Sequence, residues 1–460
     1  MDGLFPVGVV EGFYGPPWSH NARMSMIRFL GKNGFNTYIY APKDDPYHRE
    51  KWAEPYPRSL LDRITQLAKV SRKCSVNLCF AVSPGLSIRY SSEEDLRKLT
   101  AKFAEVAGLG VQWFGLFLDD IPEEMKHKED KTAFPSLGEA HAHLGNLLEG
   151  RLKEIVGDGA HLILCPTQYT GTRPTEYHKA LGEKLSQSVY IMWTGRYVCT
   201  PEITAEDADS FAAGIGRKPL LWDNYPVNDY VQQVKIFLGP LRGRSPELPS
   251  HLSGFVSNPM NQAEASKFSL ITLREYLKNP YAYHPDKAWE RATKEILPKS
   301  MWKPFLAISE HSRGSFIDFR ESERLARLVN SVSGEAGDLG KINRLSEYLK
   351  EQRRNASSLE RGLRGPLRAE LLPMLRKISK LLEVGTASAD LLRRTRKGIT
   401  KTDRRKAKIV RARLRSAEES KFQVLGEVRL KLTDPERESI DRDNYISRLA
   451  KLAVSSVEGK

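Results

Sequence analysis

The spacing of apolar and polar positions changes character near residue 300. Before it, short runs rich in Val, Ile, Phe, Tyr and Trp recur: FPVGVV (5–10), TYIYA (37–41), VNLCFAV (76–82), WFGLFL (113–118), HLILC (161–165), VYIMW (189–193), PLLW (219–222) and GFVS (254–257). They are largely apolar and of strand length, which suits strands covered on both faces. Between them, apolar residues fall at helical spacing in SLLDRITQLAKV (59–70), SSEEDLRKLTAKFAEVAGLG (91–110), HAHLGNLLEGRLKEIV (141–156), EYHKALGEKLSQ (176–187) and QAEASKFSLITLREYL (262–277). The second of these opens on a Ser cap with an acidic first turn and closes on Gly. Eight strands alternating with helices predict a (β/α)8 TIM-type barrel over residues 1–295. An open doubly wound sheet is the alternative. The lack of a Gly-rich phosphate loop after the first run counts against it.

Beyond residue 300 the β-rich runs stop. KINRLSEYLKEQRR (341–354), LRAELLPMLRKISKLLEV (367–384) and RRKAKIVRARLRSAEESKFQVLGEVRLKL (404–432) carry apolar residues three and four apart on otherwise charged faces. That pattern predicts an all-α helical bundle over 300–460. Charge divides the chain in the same way. The formal net charge is +15, and residues 301–460 hold 36 Lys+Arg against 22 Asp+Glu, a net of +14. The basic run RRTRKGITKTDRRKAKIVRARLR (393–415) could track phosphates. A solvated helix face is the commoner reading, no aromatic residue interrupts the run, and no nucleic acid is expected as a partner.

Several classes drop out on composition. The chain has 460 residues, 40 % of them hydrophobic, enough for two or three domains. No window approaches the about 18 apolar residues of a membrane span, so no membrane partner is expected. The opening MDGLFPVGVVEGF lacks the basic and apolar regions of a secretory signal, which points to a cytoplasmic protein. Cys74, Cys79, Cys165 and Cys199 form no CxxC pair and read as free thiols in a reducing compartment. The histidines show no metal-binding spacing, and GxGxxG and Walker A loops are missing. The expectation is therefore no cofactor. Oligomeric state is left open.

Barrel enzymes place their chemistry at the C-terminal strand ends. Those ends lead into Glu11-Gly12-Phe13-Tyr14-Gly15, Lys43-Asp44-Asp45, Asp119-Asp120, Thr167-Gln168-Tyr169, Trp193-Thr194-Gly195, Trp222-Asp223-Asn224 with Asn228-Asp229, and Asn258-Pro259. The third strand leads to Ser83-Pro84-Gly85, which reads as structural. Carboxylates and amides suit sugar hydroxyls, and aromatic faces suit the CH surface of a ring. A phosphate would call for Arg or a Gly-rich loop. Asp119 and Asp120 follow a fully apolar strand. Two adjacent carboxylates repel, so one is expected to stay ionised while the other's pKa rises. The bland alternative is a solvated loop start or a helix cap. Conventional glycosidases set two carboxyls across the scissile bond, whereas neighbours suit the substrate-assisted exception, in which the sugar's 2-acetamido group is the nucleophile.

At these residues the sequence resembles glycoside hydrolase family 84, the O-GlcNAcase family, in its bacterial-type form. The matching segments are GVVEGFYGPPW (8–18), NTYIYAPKDDPYHREKWAEPYP (36–57), FAVSPG (80–85), FGLFLDDI (114–121), CPTQY (165–169), WTG (193–195), WDNYPVND (222–229) and SNP (257–259). They lie in family order across nearly all of 1–290, and no motif matches beyond 300. The resemblance implies a barrel and a retaining, substrate-assisted reaction through an oxazoline, releasing terminal β-linked GlcNAc from a glycoprotein or glycan. It implies that Asp119 orients the acetamido group and Asp120 is the general acid, then base. Tyr169 and Asn224 would hold the acetamido and reacting region, and Trp222 would wall the acetyl pocket. Gly12 (through its backbone), Lys43, Asp229 and Asn258 would bind sugar hydroxyls. Another hexosaminidase acting on glycan ends, or a catalytically weak glycan binder, would use the same pocket. For two of these residues a plainer role stays open: Lys43 paired with Asp44 or Asp45, and Trp222 as ordinary core.

Overall fold

The computed structural model describes residues 5–229, 235–318, 320–333, 338–396, 398–419, 424 and 444–458. Contacts divide the chain into two compact units, one of residues 1–230 and 241–284, the other of 231–240 and 285–460.

The first unit is a closed barrel of eight parallel strands in sequence order. They are β1 (Val7–Glu11), β2 (Thr37–Tyr40), β3 (Asn77–Val82), β4 (Trp113–Phe117), β5 (His161–Cys165), β6 (Tyr190–Trp193), β7 (Leu220–Asp223) and β8 (Gly254–Ser257). The open doubly wound alternative is thereby ruled out. Closure comes where β1 pairs with β8, with Val9 opposite Ser257. Alternate residues of all eight strands form one cluster, among them Val10, Ile39, Cys79, Phe117, Ile163, Met192, Trp222 and Val256. The residues between them are covered too, so the strands read as unbroken apolar runs. Both buried cysteines, Cys79 and Cys165, belong to this cluster, and all four cysteines are free thiols.

The helices of this unit are α1 (His20–Lys32), α2 (Arg58–Lys73), α3 (Glu93–Ala107), α4 (Lys128–Ala133), α5 (Leu137–Val156), α6 (Glu176–Lys184), α7 (Ala205–Ile215) and α8 (Ala263–Lys278). Hydroxyls set several starts: Ser92 accepts from Asp95 N, and Thr175 and Thr204 form capping boxes. The apolar spacing singled out neither α1 nor α7. Polar residues interrupt the former, and the latter is short and rich in Ala.

The second unit is helical: α9 (Pro285–Ile296), α10 (Lys299–Ser309), α11 (Glu323–Ser333), α12 (Leu339–Gly362), α13 (Gly365–Thr395), α14 (Lys401–Glu418) and α15 (Tyr445–Glu458). The stripes expected from spacing are buried, as with Ile342, Leu345 and Leu349 of α12. The stretch expected over 404–432 ends as helix at Glu418, and most of its remainder lies outside the described residues. The division falls at His284, earlier than the expected 295–300. Residues 235–240 also group with the second unit. Leu238 N donates to Ser312 O at 3.0 Å, Ser312 Oγ to Ile236 O at 2.6 Å, and Lys235 pairs with buried Glu321. No apolar period marks so short an excursion. Among the described residues no helix is long and apolar enough to cross a membrane.

Candidate active site

The nine residues singled out from the sequence all follow C-terminal strand ends, except Trp222, which is the penultimate residue of its strand. Gly12 follows β1, Lys43 follows β2, Asp119 and Asp120 follow β4, and Tyr169 follows β5. Trp222 lies in β7, Asn224 and Asp229 follow it, and Asn258 follows β8.

Asp119 is buried, at 5 % exposure, and its two oxygens differ. Oδ2 pairs with the Lys43 ammonium. Oδ1 is buried without a hydrogen-bond partner. An unmatched carboxylate oxygen is costly to bury, and this one retains an unused acceptor. Lys43 is thus tied to Asp119 rather than to Asp44 or Asp45. Its ammonium also lies 5.6 Å from the Tyr14 ring centre and 6.0 Å from that of Trp222.

Asp120 turns the other way, exposed, with φ +53°. That left-handed backbone costs a residue with a side chain about 1–2 kcal/mol, although Asp tolerates it better than most. Tyr169 Oη donates to its Oδ1 at 2.8 Å and Tyr14 Oη to its Oδ2 at 2.7 Å. The expectation that one of the pair is pushed up fails for Asp120. Desolvation does push it up, but the Lys43 charge, the two phenol hydrogen bonds and Arg49 outweigh that and hold its carboxyl below the usual value. Asp229 is pushed up, by burial and by the charge of Asp120, against a hydrogen bond from Tyr14 N at 3.0 Å.

Trp222 packs against Phe117 with ring centres 5.5 Å apart. Its Nε1 donates to Asn224 Oδ1 at 2.9 Å, and Asn258 Nδ2 donates to the same oxygen at 2.8 Å. Asn224 Nδ2 donates to Val198 O at 2.6 Å, which orients the amide. Asn258 Oδ1 is a second buried acceptor without a partner. A Cβ on Gly12 would lie 2.4 Å from Trp222 Cζ2, so only glycine lets the indole lie against this backbone. A cleft of about 450 Å³ opens beside Asp120, lined also by Glu123, Gln168, Tyr169, Thr175 and Val198.

Other strand-end polar residues serve the frame. Glu11 is fully buried and pairs with Arg23 of α1 and Tyr38. Asp45 accepts from Tyr40 and Tyr56 at 2.9 Å each. Asp223 is held by Arg244 at 2.6 and 2.8 Å. Asn228 Nδ2 donates to Gln262 Oε1 at 2.7 Å. Two residues of the site were not singled out, Tyr14 and Arg49. Both lie within the matched segments; nearness to the end of β1 was the available signal for Tyr14, whereas Arg49 lies well beyond the end of β2 at Tyr40 and position gave none. Among the described residues no group of three His, Cys, Asp or Glu side chains is placed to hold a metal ion.

A closed parallel barrel whose rim gathers carboxylates, amides and aromatic rings is a class of fold and site that suits a sugar ligand. Comparison narrows the class: the chain belongs to the beta-N-acetylglucosaminidase family, whose model matches residues 7–309. The protein O-GlcNAcases of Rattus norvegicus and Mus musculus are each 36 % identical over 281 residues, 60 % of this chain. The match covers only 30 % of the length of these relatives. An O-GlcNAc hydrolase of Thermobaculum terrenum, solved as an aspartate-to-asparagine mutant, is similar over 100 % of this chain and 96 % of its own, with 29 % identity and a TM-score of 0.89.

Proposed function

We propose that this protein is a retaining β-N-acetylglucosaminidase that removes terminal β-linked GlcNAc from a glycoprotein or glycan by substrate-assisted catalysis. The observation that carries the reading is the unmatched Oδ1 of Asp119 beside the Lys43 ammonium and the Trp222 wall. A 2-acetamido group brings the N–H that this oxygen lacks. With that N–H held, the acetamido oxygen is aimed at the anomeric carbon, and the carboxylate stabilises the positive charge that develops as an oxazoline forms. Asp120, facing the cleft, protonates the departing oxygen and then draws a proton from water. Asn258 Oδ1 and Asp229 supply acceptors for sugar hydroxyls.

The test is hydrolysis of an aryl β-GlcNAc against the matching β-glucoside. The acetamido-assisted reaction requires cleavage of the first and little of the second. Equal cleavage of both would overturn it, and cleavage of neither would favour a glycan binder.

A further inference from the structure

Arg49 lies on the loop between β2 and α2 and is buried. Its guanidinium makes two contacts at the rim. Nη2 donates to the main-chain carbonyl of Asp120 at 2.8 Å, and Nη1 donates to Tyr14 Oη at 3.0 Å. Tyr14 Oη in turn donates to Asp120 Oδ2 at 2.7 Å. Guanidinium, phenol, carboxylate and carbonyl therefore close a ring that begins and ends on Asp120, joining the loops after β1, β2 and β4.

The ring surrounds a residue that needs holding. Asp120 is one of three non-glycine residues at positive φ among the described residues. Without a donor fixed on its carbonyl, it could relax toward the commoner conformations and turn its carboxylate away. A guanidinium suits this position because its planar fork reaches two acceptors at once and stays charged when partly buried. Burial pushes Arg49 down, but Tyr14 and the two aspartates raise it further, so the group remains a cation.

We propose that Arg49 is the positioning residue of the proton donor, holding the Asp120 backbone left-handed and, through Tyr14, aiming its carboxylate at the departing oxygen. This rests on the reaction proposed above. A mis-aimed acid matters only when the leaving group needs a proton, so the effect of losing Arg49 depends on the leaving group.

The test uses the full chain with dinitrophenyl and methoxyphenyl β-GlcNAc. Arg49→Met should lose roughly tenfold or more additional kcat/KM on the methoxyphenyl substrate than on the dinitrophenyl one. Its alkaline limb should move to higher pH, because a cation that favours the Asp120 carboxylate is gone. Arg49→Lys should recover part of the difference, since one ammonium cannot span both acceptors. If Arg49→Met fails to fold, Arg49→Lys carries the same comparison. An equal loss on both substrates, or an unmoved alkaline limb, would reduce Arg49 to a structural pillar and overturn the proposal. Should the unaltered protein cleave neither substrate, the reaction itself fails; should it cleave both while the variants show no leaving-group dependence, only the role of Arg49 fails.

Discussion

The phenol of Tyr169 donates to Oδ1 of Asp120 at 2.8 Å, and this bond favours the ionised carboxyl. An acid catalyst is lost as pH rises through its pKa. The profile of kcat/KM reports the free enzyme and that of kcat the complex. In the free enzyme Asp120 is held low, whereas bound substrate excludes water and brings the leaving oxygen to it. The alkaline limb of kcat/KM should therefore fall at lower pH than that of kcat. Tyr169→Phe removes one hydrogen bond to the anion, raises the Asp120 pKa and should move the kcat/KM limb to higher pH. Profiles on a poor leaving group check this; an unmoved limb would show that Tyr169 does not tune the acid.

Asp119 and Asp120 should separate by leaving group. Dinitrophenolate departs almost unaided, while an alkoxide does not. Asp120→Asn should keep most of its rate on the activated substrate and lose orders of magnitude on alkyl-type linkages. Asp119→Asn acts on the nucleophile that every substrate uses, and should lose about 2–4 kcal/mol on both. The reverse pattern in steady-state kinetics would exchange the two roles.

Asp229 sits where Tyr14 N reaches its Oδ2 at 3.0 Å. If it also accepts from sugar hydroxyls, Asp229→Ala should cost about 2–4 kcal/mol in kcat/KM. A loss under about threefold, below 1 kcal/mol, would mean that this carboxylate does not touch the sugar.

Gly12→Ala tests the seat of Trp222. The new Cβ would meet Trp222 Cζ2 at 2.4 Å and Cη2 at 2.6 Å, so the indole has to move. The overpacking should cost about 1–3 kcal/mol of stability. The displaced wall should lower kcat/KM by on the order of tenfold or more. Thermal melting and kinetics read the two effects, and an unchanged KM and melting temperature would contradict the tight contact.

Asp223 and Arg244 form a bidentate pair with both side chains 1 % exposed. Asp223→Ala leaves a buried guanidinium unpaired and should destabilise the barrel by about 3–5 kcal/mol. Replacing both partners, as in Asp223→Leu with Arg244→Met, should restore much of that. Urea unfolding measures it, and a single-variant effect under about 1 kcal/mol would mark the pair as dispensable.

Much of the barrel was legible because its strands are covered on both faces, so each reads as a short apolar run whatever it packs against. Site positions were legible because the rim is where strands end. Glu11 and Gly12 show the limit of that rule. Glu11 ends β1 and Gly12 follows it, yet alternation turns Glu11 toward Arg23 of α1 while Gly12 lies under the indole of Trp222. Likewise Asp223 and Asn224 are neighbours, but one is held by Arg244 and the other joins Trp222 and Asn258.

By itself the sequence determined the strand and helix alternation, the helical character of the second region and the rim positions of Asp119, Asp120 and Trp222. These follow from local periodicity and from where apolar runs stop, which depend on near neighbours in the chain. Only the tertiary structure decided which partners each carboxylate meets. Adjacency alone suggested mutual repulsion and a raised pKa. Closing the barrel brings Tyr14, Lys43, Arg49 and Tyr169 from three other loops around Asp120, and their charge and hydrogen bonds outweigh its desolvation. The partners of Asp120 lie as far as 106 residues away along the chain, so no local pattern could announce them.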